Sequence, residues 1–345
     1  MTAALALAQC LRAAPSEAEL AHLSRLTPGD WERLVQLAFD QELAPLLHAR
    51  LRATPLHALL PPATAQELTR AYLDAGAAGM RWQHQLSRLL KQLQSANLRA
   101  LVLGDAVLAL AVYGNAALHS PHSLELLVRE ADLDAVAACL LAAGYCVDPG
   151  GGALERAAAG SFISLKDGAI PVGVHTQLLA PDAPFRVASA EIWAQATTAL
   201  LDTLEATVLP PETLLLELCM RGVPALPSNG LRLCFDLAQV VTRYAAELDW
   251  EQLVARARDW QAGDAVWLAL SLARDVAGAA VPEAALAQLA PDAVGTAAVV
   301  RAREQLLELP LPALAALETL DSGVVDETLL ALSPESLLIG CLRGR

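Results

Sequence analysis

The chain of 345 residues is poor in positive charge: 24 basic residues face 38 acids, for a formal net charge of −14. Only two of the bases, Lys91 and Lys166, are lysines, and no function is drawn from that bias. So acidic a chain repels phosphate backbones, which argues against bulk nucleic-acid binding and leaves room only for a local basic pocket. Long apolar runs are missing too. The sequence is 55% hydrophobic, mostly through Ala and Leu, yet no uninterrupted stretch is long enough to span a bilayer. "MTAALALAQCLRAA" opens the chain without a basic residue ahead of its apolar part, so no signal peptide is expected and the protein reads as soluble and cytoplasmic. The six cysteines show no C-x-x-C spacing and sit mostly in apolar helical patterns, which predicts buried free thiols rather than a metal or disulfide framework. "LVLGD" and "DPGGGALE" contain glycines, but neither matches a P-loop or a dinucleotide fingerprint, and no G-x-S-x-G element occurs. The Trp residues fall mostly at helical core spacing and are read as packing.

The length suffices for two or three domains with a sizeable core. Residues 1–97 read as helices. Thr27 and Asp30 cap a segment in which Trp31, Leu34, Val35 and Ala38 recur at helical spacing. Pro45 opens another helix. After Pro61 and Pro62 comes a long amphipathic helix with the stripe Trp82, Leu86, Leu89, Leu90 and Leu93, which ends at "SAN". The pattern changes over residues 98–180. "LRALVLGDAVLALAVYG" reads as strand, turn and short helix. "SLELLV" is a second strand and "READLDAVAACLLAAGY" a helix with Gly144 at its C′ position. "YCVD" is a third strand, and "SFISLKDGAIPVGVHTQ" a hairpin turning at Asp167 and Gly168. Residues 181–345 read as helical again, a bundle with short turns. No fixed-period repeat is present. The predicted fold is α+β and predominantly helical: a small mixed-sheet core between N- and C-terminal helical regions.

The order of these segments resembles one family, the bacterial uncharacterised nucleotidyltransferases, over roughly residues 25–275. The resemblance rests on the ordered set "DWERLVQLAFDQELAPLL", "LVLGDAVLALAVYG", "LHSPHSLELLV", "ADLDAVAACLLAAGY", "VGVHTQLL", "GLRLCFDLAQVV" and "LDWEQLVARA". It implies a nucleotidyltransferase-like core that uses magnesium and a nucleoside triphosphate. It also shows departures. The family typically has a Lys-Gly pair after its first strand, where this chain has Leu103 and Gly104. Arg is typical at the place of His119. The family's Asp-x-Asp on the second strand is Ser123-Leu124-Glu125 here. An acid two residues before the later His175 is replaced by Gly173.

These positions matter because nucleotidyl transfer must neutralise a polyphosphate and aim the attacking group. Carboxylates at i and i+2 of a strand share one face and can jointly hold magnesium; a third completes the clamp. Ser123 cannot replace an anionic ligand, and Glu125 carries its carboxylate one methylene further out. By the resemblance, the candidate catalytic residues are Glu125 and Asp105. Gly104, Asp105, Ser123 and His119 are the candidate nucleotide contacts, and Glu125 and His175 the candidate metal ligands. The plainer readings stand beside these. Asp105 can be a helix N-cap. Glu125 can be an acid at a strand edge facing solvent. His119, His122, His175 and Glu125 can form a zinc-like set; alternatively His175 is a structural histidine bonded to backbone, with His119 and His122 as loop residues. The expected function is a catalytically degenerate binding or assembly module, with a protein partner or self-association and possible nucleotide binding. The alternatives are an active magnesium-dependent enzyme transferring a nucleoside monophosphate, using Asp105 and Glu125, and a purely structural protein that inherited the fold.

Overall fold

The computed structural model describes residues 2–13, 15–147, 161–166, 168–181, 183–291 and 293–307. It is predominantly helical with one mixed sheet, as the patterning predicts. Its contacts divide it into two compact units: residues 1–66 with 218–345, and residues 67–217. An N-terminal and a C-terminal stretch of the chain share the first of them.

In that first unit, helices α1 (Ala3–Leu11), α2 (Glu17–Leu23), α3 (Pro28–Asp40) and α4 (Ala44–Arg52) precede α5 (Pro62–Ser95), most of which lies in the second unit. The start of α3 follows from its sequence. Thr27 Oγ1 accepts from Asp30 N, and Asp30 Oδ2 accepts from Thr27 N at 2.9 Å, a reciprocal capping box with Pro28 behind it. Helix α1 packs on α3 and α4. It is joined to the C-terminal half through Arg12, whose guanidinium donates to the carbonyls of Val276 at 3.0 Å and Asp275 at 2.9 Å. Thr2 Oγ1 likewise donates to the carbonyl of Leu307 at 2.6 Å. These contacts span most of the chain and have no local sequence signature. The tail beyond Leu307, with Cys341, lies outside the described residues.

The second unit holds a seven-stranded sheet of order β3-β4-β5-β2-β1-β7-β6. Its strands are β1 (Ala100–Val102), β2 (Leu124–Val128), β3 (Cys146–Val147), β4 (Ser161–Leu165), β5 (Val172–His175), β6 (Thr197–Leu201) and β7 (Leu204–Val208). Helix α5 closes with Asn97 in the left-handed region (φ 58°), where Leu98 N reaches back to Leu93 O at 2.9 Å. The expected "SAN" terminus is thereby realised, and β1 follows at once. Between β1 and β2 lies the short helix α6 (Asp105–Val107), which runs into a π-helical turn at Leu108–Val112. Helix α7 (Leu133–Ala142) follows β2 and ends with Gly144 at C′. Strands β4 and β5 form the expected antiparallel hairpin, with Ser164 opposite Val172; Asp167 in its turn lies outside the described residues.

One part of the sequence reading is corrected. The region from residue 181 onward is not all helical. Helix α8 (Ser189–Gln195) leads into the β6–β7 hairpin, and β7 pairs in parallel with β1, Leu101 opposite Thr207. The segment "TTALLDTLEATV" carries no Asn-Gly or Asp-Gly turn, and Asp202 takes the positive φ (59°) itself. After this hairpin the described residues are helical: α9 (Pro211–Gly222), α10 (Leu226–Arg243), α11 (Trp250–Asp259), α12 (Gly263–Leu272), α13 (Glu283–Leu289) and α14 (Ala293–Leu306). Cys10, Cys219 and Cys234 are buried free thiols as expected, with burial pushing those of Cys10 and Cys234 up to about 12. Cys146, on the short strand β3, is exposed instead. No described helix is long and apolar enough to cross a membrane.

Candidate functional site

Four residues named in the sequence converge on one face at the centre of the sheet. Side chains alternate across a strand, so Ser123 and Glu125 project to the same side, as do Gly173 and His175 on the neighbouring strand. The parallel register of β2 with β5 sets Glu125 directly opposite Gly173 and Leu127 opposite His175. Glu125 therefore stands over a residue without a side chain. A Cβ built on Gly173 would overlap Glu125 Oε2 and come within 2.7 Å of its Cδ. The place where the resemblance expects a third carboxylate is filled by the carboxylate of Glu125.

That carboxylate is held at both oxygens. Ser123 Oγ donates to Oε1, and His175 Nε2 pairs with Oε2. The side chain of Glu125 is only 18% exposed and that of His175 32%. One plainer reading fails on these facts: strand β2 is the central strand, so Glu125 is not an edge acid facing solvent. His175 Nε2 is bonded to that carboxylate. The hydroxyl of Ser123 is a donor to the Glu125 carboxylate.

A second pair stands at the end of β1. Leu103 N donates to the carbonyl of Glu125 at 2.9 Å, so the turn at Gly104 begins beside β2. Gly104 has φ 55° and ψ −126°, a backbone open to glycine, and is itself the N-cap of α6. Asp105 is thus the first helical residue rather than the cap. Its Oδ1 lies 3.1 Å from His119 Nε2. His119 is not a plain loop residue: it is buried, and its ring stacks on Tyr113 with centroids 5.7 Å apart. His122, three residues on, is exposed. Nothing in the sequence signalled the Tyr113 stack.

Magnesium for a polyphosphate needs several converging hard oxygen ligands. Among the described residues no group of three or more His, Cys, Asp or Glu side chains is placed to hold a metal ion. Glu125 pairs with His175, and Asp105 with His119. What the geometry does keep is the scaffold: a glycine turn after the first strand, a carboxylate-bearing second strand and a histidine on the strand beside it.

Comparison with known proteins agrees with that scaffold. No curated protein matches the chain. A family profile described as "Uncharacterised nucleotidyltransferase" matches residues 27–278, most of the chain and every element just described. The chain belongs to the uncharacterised nucleotidyltransferase family.

Proposed function

We propose that this chain is a catalytically degenerate nucleotidyltransferase-fold protein that acts by binding, as a module for a protein partner or for a second copy of itself. The observation that carries the reading is the Glu125 carboxylate, bonded at both oxygens by Ser123 and His175 and filling the space over Gly173. Two-metal chemistry needs carboxylate oxygens turned to the metal ions, and both oxygens of Glu125 are engaged by protein donors. The test is pyrophosphate release from each of the four nucleoside triphosphates, with and without magnesium, in a cell extract supplying acceptors. We expect no magnesium-dependent turnover above that of the extract alone, and Glu125→Ala to behave as the unaltered chain does. Magnesium-dependent turnover by the purified chain that Glu125→Ala abolishes would establish the active enzyme instead.

The binding role has support in the surface of α5. Leu73 and Met80, two helical turns apart on one face, are 63% and 68% exposed. Light scattering at rising concentration is expected to report a mass above that of the monomer of 36.3 kDa, and Leu73→Glu/Met80→Glu to return it to the monomer. A strict monomer at every concentration would remove self-association and leave only a different protein as partner.

A further inference from the structure

A basic cavity of the second unit lies away from the two carboxylate–histidine pairs. A cavity of about 470 Å³ opens between α5, the end of α7 and the β4–β5 hairpin, and shares none of the residues Asp105, His119, Ser123, Glu125, Gly173 or His175. Arg81, His84 and Arg88 line it from α5, and Lys166 from the end of β4. Both lysine-type and arginine-type cations therefore meet here, in a chain where acids outnumber bases by 38 to 24. No carboxylate is among its described lining residues; Asp167, next to Lys166, lies outside them.

The walls are built rather than incidental. Gln85 on α5 clasps the hairpin, its amide nitrogen donating to Ile170 O at 2.7 Å and its amide oxygen accepting from Ile170 N at 3.0 Å. Gln92, one turn past Arg88, donates to Cys139 O at 3.0 Å and fastens α5 to α7. Lys166 Nζ donates to Ala143 O at 2.6 Å and stands 5.4 Å from the centre of the Tyr145 ring. An ammonium has three N–H groups, so Lys166 keeps donors for a ligand. The floor includes Trp82, which is only 2% exposed, and its indole N–H is buried with no hydrogen-bond partner among the described residues.

We propose that this cavity binds a small polyanion, a molecule carrying two or more phosphate or carboxylate groups, between the guanidinium groups of Arg81 and Arg88 and the ammonium of Lys166. Arg81 and Arg88 are exposed and lie on one stripe of α5, roughly 10 Å apart along the helix axis. That separation suits a ligand with charge at more than one point. Guanidinium forks recognise phosphate and carboxylate in two-pronged fashion. The site stands independently of whether the family's reaction is retained.

The experiment is calorimetric titration of the full chain with inorganic tripolyphosphate and, separately, with citrate, in the absence of magnesium. Saturable binding at one site per chain is expected for at least one of them. Binding of the first alone assigns phosphate recognition, and binding of the second alone assigns carboxylate recognition. Arg81→Glu/Arg88→Glu should weaken the affinity by about tenfold or more, because two charge-assisted contacts become repulsive. Both arginines are solvent-facing, and Arg81→Gln/Arg88→Gln gives the same reading, as a smaller loss, should charge reversal disturb folding. Absence of saturable heat with both probes, or equal affinity in the unaltered chain and a folded arginine variant, would overturn the proposal.

Discussion

Gly173→Ala is expected to destabilise the second unit by about 2–4 kcal/mol, a large effect for the addition of one methyl group. The backbone is not the cause. Gly173 is not among the glycines with positive φ, so alanine fits its conformation. The cause is the carboxylate of Glu125, which occupies the position of the new Cβ. To make room, Glu125 must turn away from Ser123 and His175 together. Glu125→Ala alone is expected to be destabilising as well, since it strands a hydroxyl and an imidazole. In the double variant the alanine methyl at 173 enters the space that Glu125 has vacated. The two effects should therefore be strongly non-additive, with a coupling of at least about 1 kcal/mol. Urea unfolding of the four proteins measures this. Additive losses would show that Glu125 does not lie over Gly173. The same geometry implies that an acid at position 173 cannot simply be put back while Glu125 stays where it is. Serine, glutamate and glycine at positions 123, 125 and 173 work as one set.

Asp236→Ala is expected to be the most damaging single change in the first unit, at about 3–5 kcal/mol. Arg232 and Asp236 lie one turn apart on α10, with side chains 11% and 8% exposed. Arg232 Nε donates to Asp236 Oδ2 at 3.1 Å, and its Nη1 donates to the carbonyl of Glu42 at 2.6 Å. Glu42 itself takes a positive φ (56°) between α3 and α4. The guanidinium thus links α10 to the turn that sets α4 against α3. Without Asp236 the buried guanidinium loses its carboxylate partner at 3.1 Å. Replacing both partners, as Arg232→Met/Asp236→Leu, should recover much of the loss, because the guanidinium that Asp236 pairs with is then gone as well. A urea midpoint for Asp236→Ala within error of that of the unaltered chain would show that the pair contributes little.

The sequence by itself carried the local elements and the identity of the altered positions. Thr27 with Asp30, the Trp82–Leu93 stripe and Gly144 at a helix end act within a few residues, where capping and periodicity operate, and each appears in the structure where its pattern placed it. Serine at 123, glutamate at 125 and glycine at 173 could likewise be read against the family's motif before any fold was known. Three things were decided only by the tertiary structure. The β6–β7 hairpin joins the sheet through β1, about a hundred residues away in the chain, and no turn signal announces it. The N-terminal helices and the described residues up to Leu307 enter one unit through Arg12 and Thr2, whose partners are carbonyls that any residue could supply. The meaning of Gly173 depends on register: only when β5 lies parallel to β2 with 173 opposite 125 does a missing side chain become the seat of another residue's carboxylate. A gap in a motif shows which ligand is gone, but what fills the vacated space depends on packing between strands, and that information is not local to either of them.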